Sequence, residues 1–462
     1  MAAWPGTPGG AASPHWGDGV RVYVYAAIYS GTTFRWAPAS APNQNADTWT
    51  TGNVWSAGTV TPAPPAGRLW VDLSCDVLDL ETQMGGTRTD GLTAVADAAT
   101  AQITLVDPTR KYDPLNPHSP YQFQGRSRLM PGTGIVVWAE TLNAGATPTV
   151  TKWPLFTGTV DTWSEPWQPR PIDRRANVVA SDATKTLSGL DRGEQPAVGA
   201  GDTVNARITR ILAYYGYLGA TRLDTSAVTL QATTLAQSAW ELISRASEDE
   251  IGFVYLDANG TLQFYARPTW ATTPAPKIVV GCSPTVSTDH DIVTDANVAA
   301  ADLNLRNEVS AGRTGGVTQI ARSQVSIDQF GTHGYKRTDL GLANDTQAGA
   351  WATYVVTLLG WPRARIDQVT MRPALDQSWP AVLGVGLVAD RVRVVWTPPD
   401  DQTVTYDTTG RVLGIDHHIT HQAWDVTWSL AYADLYSRVF RWGPAETDRL
   451  TVGNVWAPTT TG

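Results

Sequence analysis

The sequence has few cysteines and no long apolar run. Its two cysteines, Cys75 and Cys282, lie too far apart for a Cys-x-x-Cys metal motif and are too few for a disulfide framework. We predict both as small buried residues in strands. No apolar run approaches the roughly 20 residues that a membrane-spanning helix needs. The N-terminus, MAAWPGTPGGAASPHWGDG, lacks the basic start and apolar core of a secretory signal. We therefore expect a folded, soluble chain without membrane insertion, made and folded in the cytoplasm.

Basic residues are outnumbered by acidic ones. The chain has 34 Lys and Arg against 43 Asp and Glu, which gives a formal net charge of −9 and a pI near 5.3. A nucleic-acid clamp draws its affinity from clustered basic side chains that meet phosphates, so this charge argues against one. If DNA passes this protein, we expect it to pass without binding.

The abundant residues indicate a strand-rich chain with many turns. The sequence has 30 Pro, 41 Gly and 20 Trp among 462 residues, beside many Thr and Val. Its length predicts roughly two to four domains.

The order of the hydrophobic patterns predicts a mainly β fold with a small α+β insert. Period-two alternation is seen in both halves of the chain, for example in AWDVTWSLAYAD, and indicates two related β-barrel domains that flank a module of two helices and a hairpin. The predicted parts are an N-terminal arm with a Trp-containing extension (1–68), a first β-barrel (69–200), the helix–helix–hairpin module (201–275), a second β-barrel (276–435) and a C-terminal Trp-containing extension (436–462).

The predicted module has clear helix signals. One helical stripe opens after Thr203 and ends at Gly216, and a second helix is predicted to begin at Thr234, where Gln237 gives capping-box spacing. The Asn259-Gly260 pair predicts a tight hairpin turn. The first stripe consists of Val204, Ile208, Ile211, Leu212 and Tyr215, and the second of Leu235, Leu242, Ile243 and Ala246. A further helix is predicted at 345–359, inside the second β region.

No motif predicts catalysis, a cofactor or a metal. His417, His418 and His421 cluster near Asp416, but an extended segment does not place them on one helical face, so a solvated strand end is the preferred interpretation over a metal site. The GVGLVAD stretch precedes a strand rather than a helix, which argues against dinucleotide binding. Two alternatives stay open: a hydrolase with paired carboxylates, and a glycan-binding protein that uses its tryptophans.

A set of phrases in fixed order resembles a known family. The first is KYDPLNPHSPY (111–121), within a long proline-rich loop, and RLMPG, IVVWAE and PLFTGTVD follow it. Later come NARITRILAYYG, NEVSAGRTGG, VRVVWTPP and VLGIDHHITHQAWDVTWSL. Together, from about residue 69 to 435, these resemble minor tail proteins of long-tailed phages that infect actinobacteria, which are similar to the baseplate hub proteins of contractile phages.

The resemblance implies a noncatalytic structural protein of the virion, at the tail tip. In such hubs three copies form a ring below the tail tube, and each copy contributes two related β-barrels. The implied partners are further copies of the chain, the tail tube protein, the distal tail protein, the tape-measure protein and tail fibre or spike proteins, with DNA only passing through the lumen.

Nearly the same phrase occurs near both ends of the chain. FRW and GNVW at 34–36 and 52–55 return at 440–442 and 453–456. We interpret the two copies as segments that dock in similar grooves around the ring, although both being surface turns, or each packing on its own barrel, stays open. The predicted assembly interface comprises Phe34, Trp36, Trp49, Trp55, Phe440, Trp442, Trp456, Tyr112 and Tyr121.

Overall fold

The structure is a computed structural model, and it confirms a mainly β fold with few helices. The strands dominate, and most of them belong to one large sheet. The residues that the structure describes are 20–29, 68–86, 96–123, 125–143, 149–166, 170–193, 196–267, 275–282, 289–290, 292–301, 305–375, 378–387, 390–397, 406–420 and 423–432.

The first strand set lies in the N-terminal part of the chain. Its strands are β1 (Val20–Tyr29), β2 (Arg68–Asp72), β3 (Val77–Gly85), β4 (Thr100–Val106), the short pair β5 (Gln122–Phe123) and β6 (Arg126–Ser127), β7 (Gly134–Asn143), β8 (Thr149–Ser164) and β9 (Arg175–Ser181). The strand β1 pairs with both β2 and β7. It belongs to this set although it lies before the predicted boundary at residue 68. Its alternate residues Val20, Val22 and Val24 enter the core, which explains why it is held there.

Helices and short strands follow in the middle of the chain. They are α1 (Ala183–Gly189), α2 (Val204–Tyr215), β10 (Thr221–Leu223), α3 (Ala239–Glu250), β11 (Phe253–Leu256) and β12 (Leu262–Tyr265).

The second half of the chain returns to strands, interrupted by helices. Its elements are β13 (Ile278–Cys282), β14 (Val293–Ala301), β15 (Glu308–Arg313), β16 (Gln319–Arg322), α4 (Gln324–Phe330), β17 (Gly334–Leu340), α5 (Asp345–Leu359), β18 (Arg363–Met371), α6 (Trp379–Leu383), β19 (Arg391–Trp396), β20 (Tyr406–Thr420) and β21 (Trp424–Tyr432).

The two strand sets form one sheet rather than two separate ones. The hydrogen-bonded order is β14-β18-β21-β20-β3-β4-β9-β8-β7-β1-β2, and β13 and β19 join beside β20 to complete thirteen strands. The seam is the antiparallel pairing of β3 with β20, from Gly414 opposite Gly85 to Thr420 opposite Asp79. The flanking sets share a continuous ladder and one hydrophobic core, and their division into two β-barrel domains stays a prediction.

The helical stripe of α2 is confirmed, but the start of α3 is corrected. All five predicted α2 residues are buried, and Gly216 ends the helix with a φ of +72°. The capping box of α3 is Ser238 with Glu241, a few residues beyond the predicted Thr234. Thr233 instead forms a β-bridge with Val198, which keeps the chain extended before the helix.

The hydrophobic core of the helices extends to later parts of the chain. A second core joins α2 and α3 to buried residues of β15, β17 and α5, including Val309, Leu340 and Trp351. Residues 308–359, predicted as part of the second β-barrel, thus pack on the helices. The predicted helix at 345–359 is confirmed as α5, which begins after the N-cap Asn344. Within the described ranges, no helix is both long and apolar enough to cross a membrane.

Candidate functional site: the polar face of the large sheet

Side chains alternate across the middle of the large sheet and give it one polar face. In β3, β4 and β20 the core face carries Leu80, Ile103 and Ile419, all buried. Successive strand residues point to opposite sides, so their neighbours form the other face. The polar face is the surface defined by Gln368, Thr370, Asp425, Thr427, Ser429, Asp416, His418, Thr420, Asp79, Glu81, Gln83, Gln102, Thr104 and Asn177.

The charged groups of this face concentrate at the seam. Asp79, Glu81 and His418 lie there, and the Nε2 atom of His418 is 3.7 Å from a carboxylate oxygen of each. Burial raises the pKa of Asp416, two residues before His418, to about 6. On the next strand, Asp425 accepts hydrogen bonds from the guanidinium of Arg372 at 2.8 and 3.1 Å.

The histidine cluster predicted from the sequence divides between the two faces. His417 is buried on the core side, where its Nδ1 atom accepts a hydrogen bond from the indole of Trp424 at 3.3 Å. Burial lowers the pKa of His417 to about 4, so this ring is neutral at pH 7. His418 is exposed instead, and His421 lies outside the described residues. The alternation of the strand therefore separates residues that are adjacent in sequence.

A second notable feature is the proline-rich loop, residues 107–133, which is held by buried carboxylates. The Asp107 side chain accepts from the backbone N–H groups of Lys111 and Tyr112 at 2.7 and 2.8 Å. Asp76 accepts from the Lys111 ammonium and from the Tyr112 hydroxyl, both at 2.6 Å. The rings of Tyr112 and Tyr121 stack with centroids 5.8 Å apart. These contacts tie the first part of the loop to Asp76, between β2 and β3, and Tyr121 packs on that part.

The tip of the loop is shaped by side chains that bond their own backbone. Asp113 accepts from the N–H of Leu115, Asn116 from that of His118, and Ser119 from that of Tyr121. Such local bonds replace a ladder where prolines prevent one. The result is an ordered tip on which the Leu115 side chain is 86% exposed.

The predicted assembly residues fall into two groups. Tyr112 and Tyr121 are only 1% and 3% exposed, so their rings hold the loop inside this chain and offer little surface to another. The other seven, Phe34, Trp36, Trp49, Trp55, Phe440, Trp442 and Trp456, lie outside the described residues. Tyr29, the last residue of β1, pairs directly with Arg68, the first residue of β2.

Two further predictions concern cysteine and tryptophan. Cys75 is exposed in a short 3-10 turn after β2, so its prediction as a buried strand residue is wrong. The strand tryptophans Trp138 and Trp428 are buried, as expected for core packing. Every tryptophan that the structure describes is buried or half-buried. These residues therefore form no exposed row on which a sugar could stack.

Sequence reasoning missed the acidic cluster at the seam. Asp79 and Glu81 alternate with core residues in β3, and that signal alone places them on one face. Nothing in the local pattern pairs them with His418, because the partner strand is far away in the sequence. Only the register of β3 and β20 brings the three together.

Comparison with known proteins gives a structural likeness and no sequence match. No protein-family model and no curated protein matches this sequence. The fold is similar to that of the tail protein from Neisseria meningitidis MC58, with a TM-score of 0.50 and 11% identity over 79% of this chain and 93% of that one. The 43 kDa tail protein of prophage MuSo2 from Shewanella oneidensis has a TM-score of 0.47 and 13% identity over 79% and 96%. Prophage tail protein gp18 from Listeria monocytogenes EGD-e has a TM-score of 0.42 and 11% identity over 79% and 92%. The chain thus has a fold similar to that of a tail protein.

Proposed function

We propose that this chain is a structural hub subunit at the tip of a phage tail. Three copies form a ring that joins the tail tube and the distal tail protein to fibres or a spike. The observation that carries the proposal is the likeness of fold to a tail protein over most of both chains. It is independent of the family phrases in the sequence and agrees with them.

The polar face is assigned to the channel of the ring. A channel wall has to be wetted and must not hold the molecule that passes, and the residues that define this face carry hydroxyl, amide and carboxylate groups and the imidazole of His418. Its ionised groups at neutral pH are mainly carboxylates, with Arg372 paired to Asp425 at one side. Like charge repels DNA phosphates, so a strand can slide past without counterion-releasing contacts.

The proline-rich loop is assigned to contact between neighbouring copies. An ordered loop loses little conformational entropy when it docks. Leu115 supplies an apolar side chain that is exposed to water in the single chain and that a contact with another copy would bury. The variant Leu115→Ser should weaken trimer formation in sedimentation experiments at low micromolar concentration. Leu218→Ser is a matched control, because Leu218 is 98% exposed and lies in the helical module. If both variants sediment as the wild type does, the loop is not part of the interface between copies.

The terminal Trp segments are proposed to dock around the same ring. The two copies of the phrase carry indoles that each can bury about 150–250 Å². Trp55→Ala and Trp456→Ala should then both impair ring assembly. Intact rings in both variants would limit these segments to their own chain.

The function as a whole is tested by electron microscopy of tailed particles from the source strain. Gold-tagged antibody against residues 1–20 should label one end of the tails. Gold on cell walls and none on tails would favour the alternative from the sequence, a protein that binds or cleaves wall glycan. Purified chain should in parallel give a trimer, and a strict monomer under all conditions would contradict the ring.

A further inference from the structure

We propose that Asp79, Glu81 and His418 form a binding site for one divalent transition-metal ion of the zinc class, placed across the seam of the large sheet. This inference does not depend on the proposed hub function. It rests on three side chains of two strands whose oxygen and nitrogen atoms converge outside the core. Within the described part of the chain, these residues form the group of potential ligands whose donor atoms all lie within 4.8 Å of one another.

The convergence follows from strand register. His418 stands directly opposite Glu81, and Thr420 stands opposite Asp79, so Asp79 is the diagonal neighbour of His418. All three project on the polar face, since their chain neighbours Leu80, His417 and Ile419 are buried in the core. Opposite residues of an antiparallel pair have Cβ atoms about 4.5–5.5 Å apart, and diagonal neighbours stay within reach of longer side chains. The backbone therefore fixes the spacing of the three ligands.

The donor spacing suits a four-coordinate ion. The Nε2 atom of His418 lies 3.7 Å from Asp79 Oδ2 and 3.7 Å from Glu81 Oε1. An ion with bonds of about 2.0–2.1 Å in tetrahedral geometry holds its ligand atoms about 3.4 Å apart, so only small side-chain movements are needed. One imidazole with two carboxylates is a ligand set that zinc and neighbouring first-row ions accept. The fourth position is left for water or an outside ligand.

The charges around the cluster favour a cation. Among the described residues, the only basic group within 4 Å of the Asp79 and Glu81 carboxylates is the imidazole of His418. Asp425, which faces His418 from the opposite strand, is already engaged by Arg372 through two hydrogen bonds. His418 thus lies beside two carboxylates that, among the described residues, form no ion pair with Lys or Arg.

The simpler explanation is an ion pair between protonated His418 and the two carboxylates. All three side chains are substantially exposed, at 52% for His418, 40% for Asp79 and 56% for Glu81. Exposed ion pairs contribute little to stability. A metal ion would add a link between the first and second strand sets, and it would stabilise the chain by an amount that grows with the logarithm of its free concentration above the Kd. The two explanations therefore differ in whether added metal ion stabilises the chain.

The test is titration of the full, untagged chain with Zn²⁺ by calorimetry and with Co²⁺ by visible absorption. The expected result is one ion per chain, with Co²⁺ bands of a four-coordinate site. His418→Ala and Glu81→Gln should each weaken binding by about tenfold or more. His118→Ala is the matched control, because His118 is also exposed and lies in the proline-rich loop, and it should bind as the wild type does.

Thermal unfolding supplies a second readout that does not depend on tail assembly. Added Zn²⁺ should raise the Tm of the wild type and of His118→Ala, and it should leave the Tm of His418→Ala unchanged. Absence of one-to-one binding in the wild type would overturn the proposal. Equal affinity of wild type and His418→Ala would overturn it as well. A failed hub function would leave these binding results untouched, so the two proposals can fail separately.

Discussion

The helical module and the large sheet show two ways in which one chain builds a core. In the module, α2 and α3 pack within a short stretch of sequence, and β11 pairs with β12 across a tight turn. In the sheet, the seam between β3 and β20 pairs Gly85 with Gly414. The module therefore makes its first contacts between neighbouring elements, and β15, β17 and α5 complete its core, whereas the sheet closes only when β3 and β20 are both present.

This difference bears on function, because the seam creates the polar face. Neither strand set alone carries Asp79, Glu81 and His418 together. The polar face is therefore complete only in a chain whose β3 and β20 have paired. Changes in the sheet should accordingly affect the whole molecule, and changes in the module should act locally.

The largest effect is expected from Trp428→Ala, which opens the core of the large sheet. Trp428 has no exposed surface, and its truncation should cost about 3–5 kcal/mol in free energy of unfolding. Chemical denaturation measures this loss. Ser429→Ala, the next residue on the polar face, should change stability by no more than about 0.5 kcal/mol. Equal losses in the two variants would contradict the assignment of faces.

The next effect concerns pH and is confined to the module. Burial raises the pKa of Asp249, near the end of α3, from 3.8 to about 6. A raised pKa means that the folded state holds the proton more tightly than the unfolded state does. The stabilisation that protonated Asp249 contributes to the folded state is therefore complete below pH 3.8. It is lost as the pH rises through about 6. The loss is on the order of 2–3 kcal/mol.

The variant Asp249→Asn isolates this effect. It should reduce the change in module stability between about pH 4 and 7, as measured by hydrogen exchange in α3 and α5, while Glu250, whose pKa burial also raises, continues to titrate. Asp339→Asn is the control, since Asp339 is 65% exposed and also lies near Arg337. An unchanged pH profile in Asp249→Asn would show that another group titrates there.

A smaller effect is expected from Gly85→Ala, which acts on the seam itself. A Cβ atom at Gly85 would lie 2.1 Å from the carbonyl oxygen of Leu413, and the residue has a φ of +86°. The clash should cost about 1–3 kcal/mol and loosen the pairing of β3 with β20. Gly132→Ala has a similar φ of +80° and nothing within 4 Å of the added atom, so it measures backbone strain alone. Equal destabilisation in both would assign the effect to strain.

The smallest effect is expected from Ser238→Ala at the start of α3. Ser238 and Glu241 bond each other's backbone N–H groups, and loss of this capping box should cost about 1 kcal/mol. Ser323→Ala is the comparison, because Ser323 occupies the N-cap of α4 without a capping side-chain bond. Hydrogen exchange should show faster opening of α3 in the first variant only. The same opening in both would contradict the capping role.

Local patterns predicted the module better than the sheet. The stripe of α2, the burial of Leu242 and Ile243, and the alternation of β21 all follow from periodicity, which the structure confirms. The start of α3 was misplaced because a β-bridge at Thr233 competed with a plausible capping sequence. Periodicity carries no information on which strands pair, so the seam and the acidic cluster could not be predicted. For the same reason, the packing of β15 and β17 on the module could not be predicted.

The central claim is that three copies of this chain form a ring with the polar face toward its channel. Cryo-electron microscopy of intact tails, with the chain fitted to the density at the tip, tests it most directly. We expect three copies around the tail axis, with Asp79, Glu81 and Asp416 facing the lumen. Density that places the polar face on the outside, or that contains no copy of the chain at the tip, would contradict it.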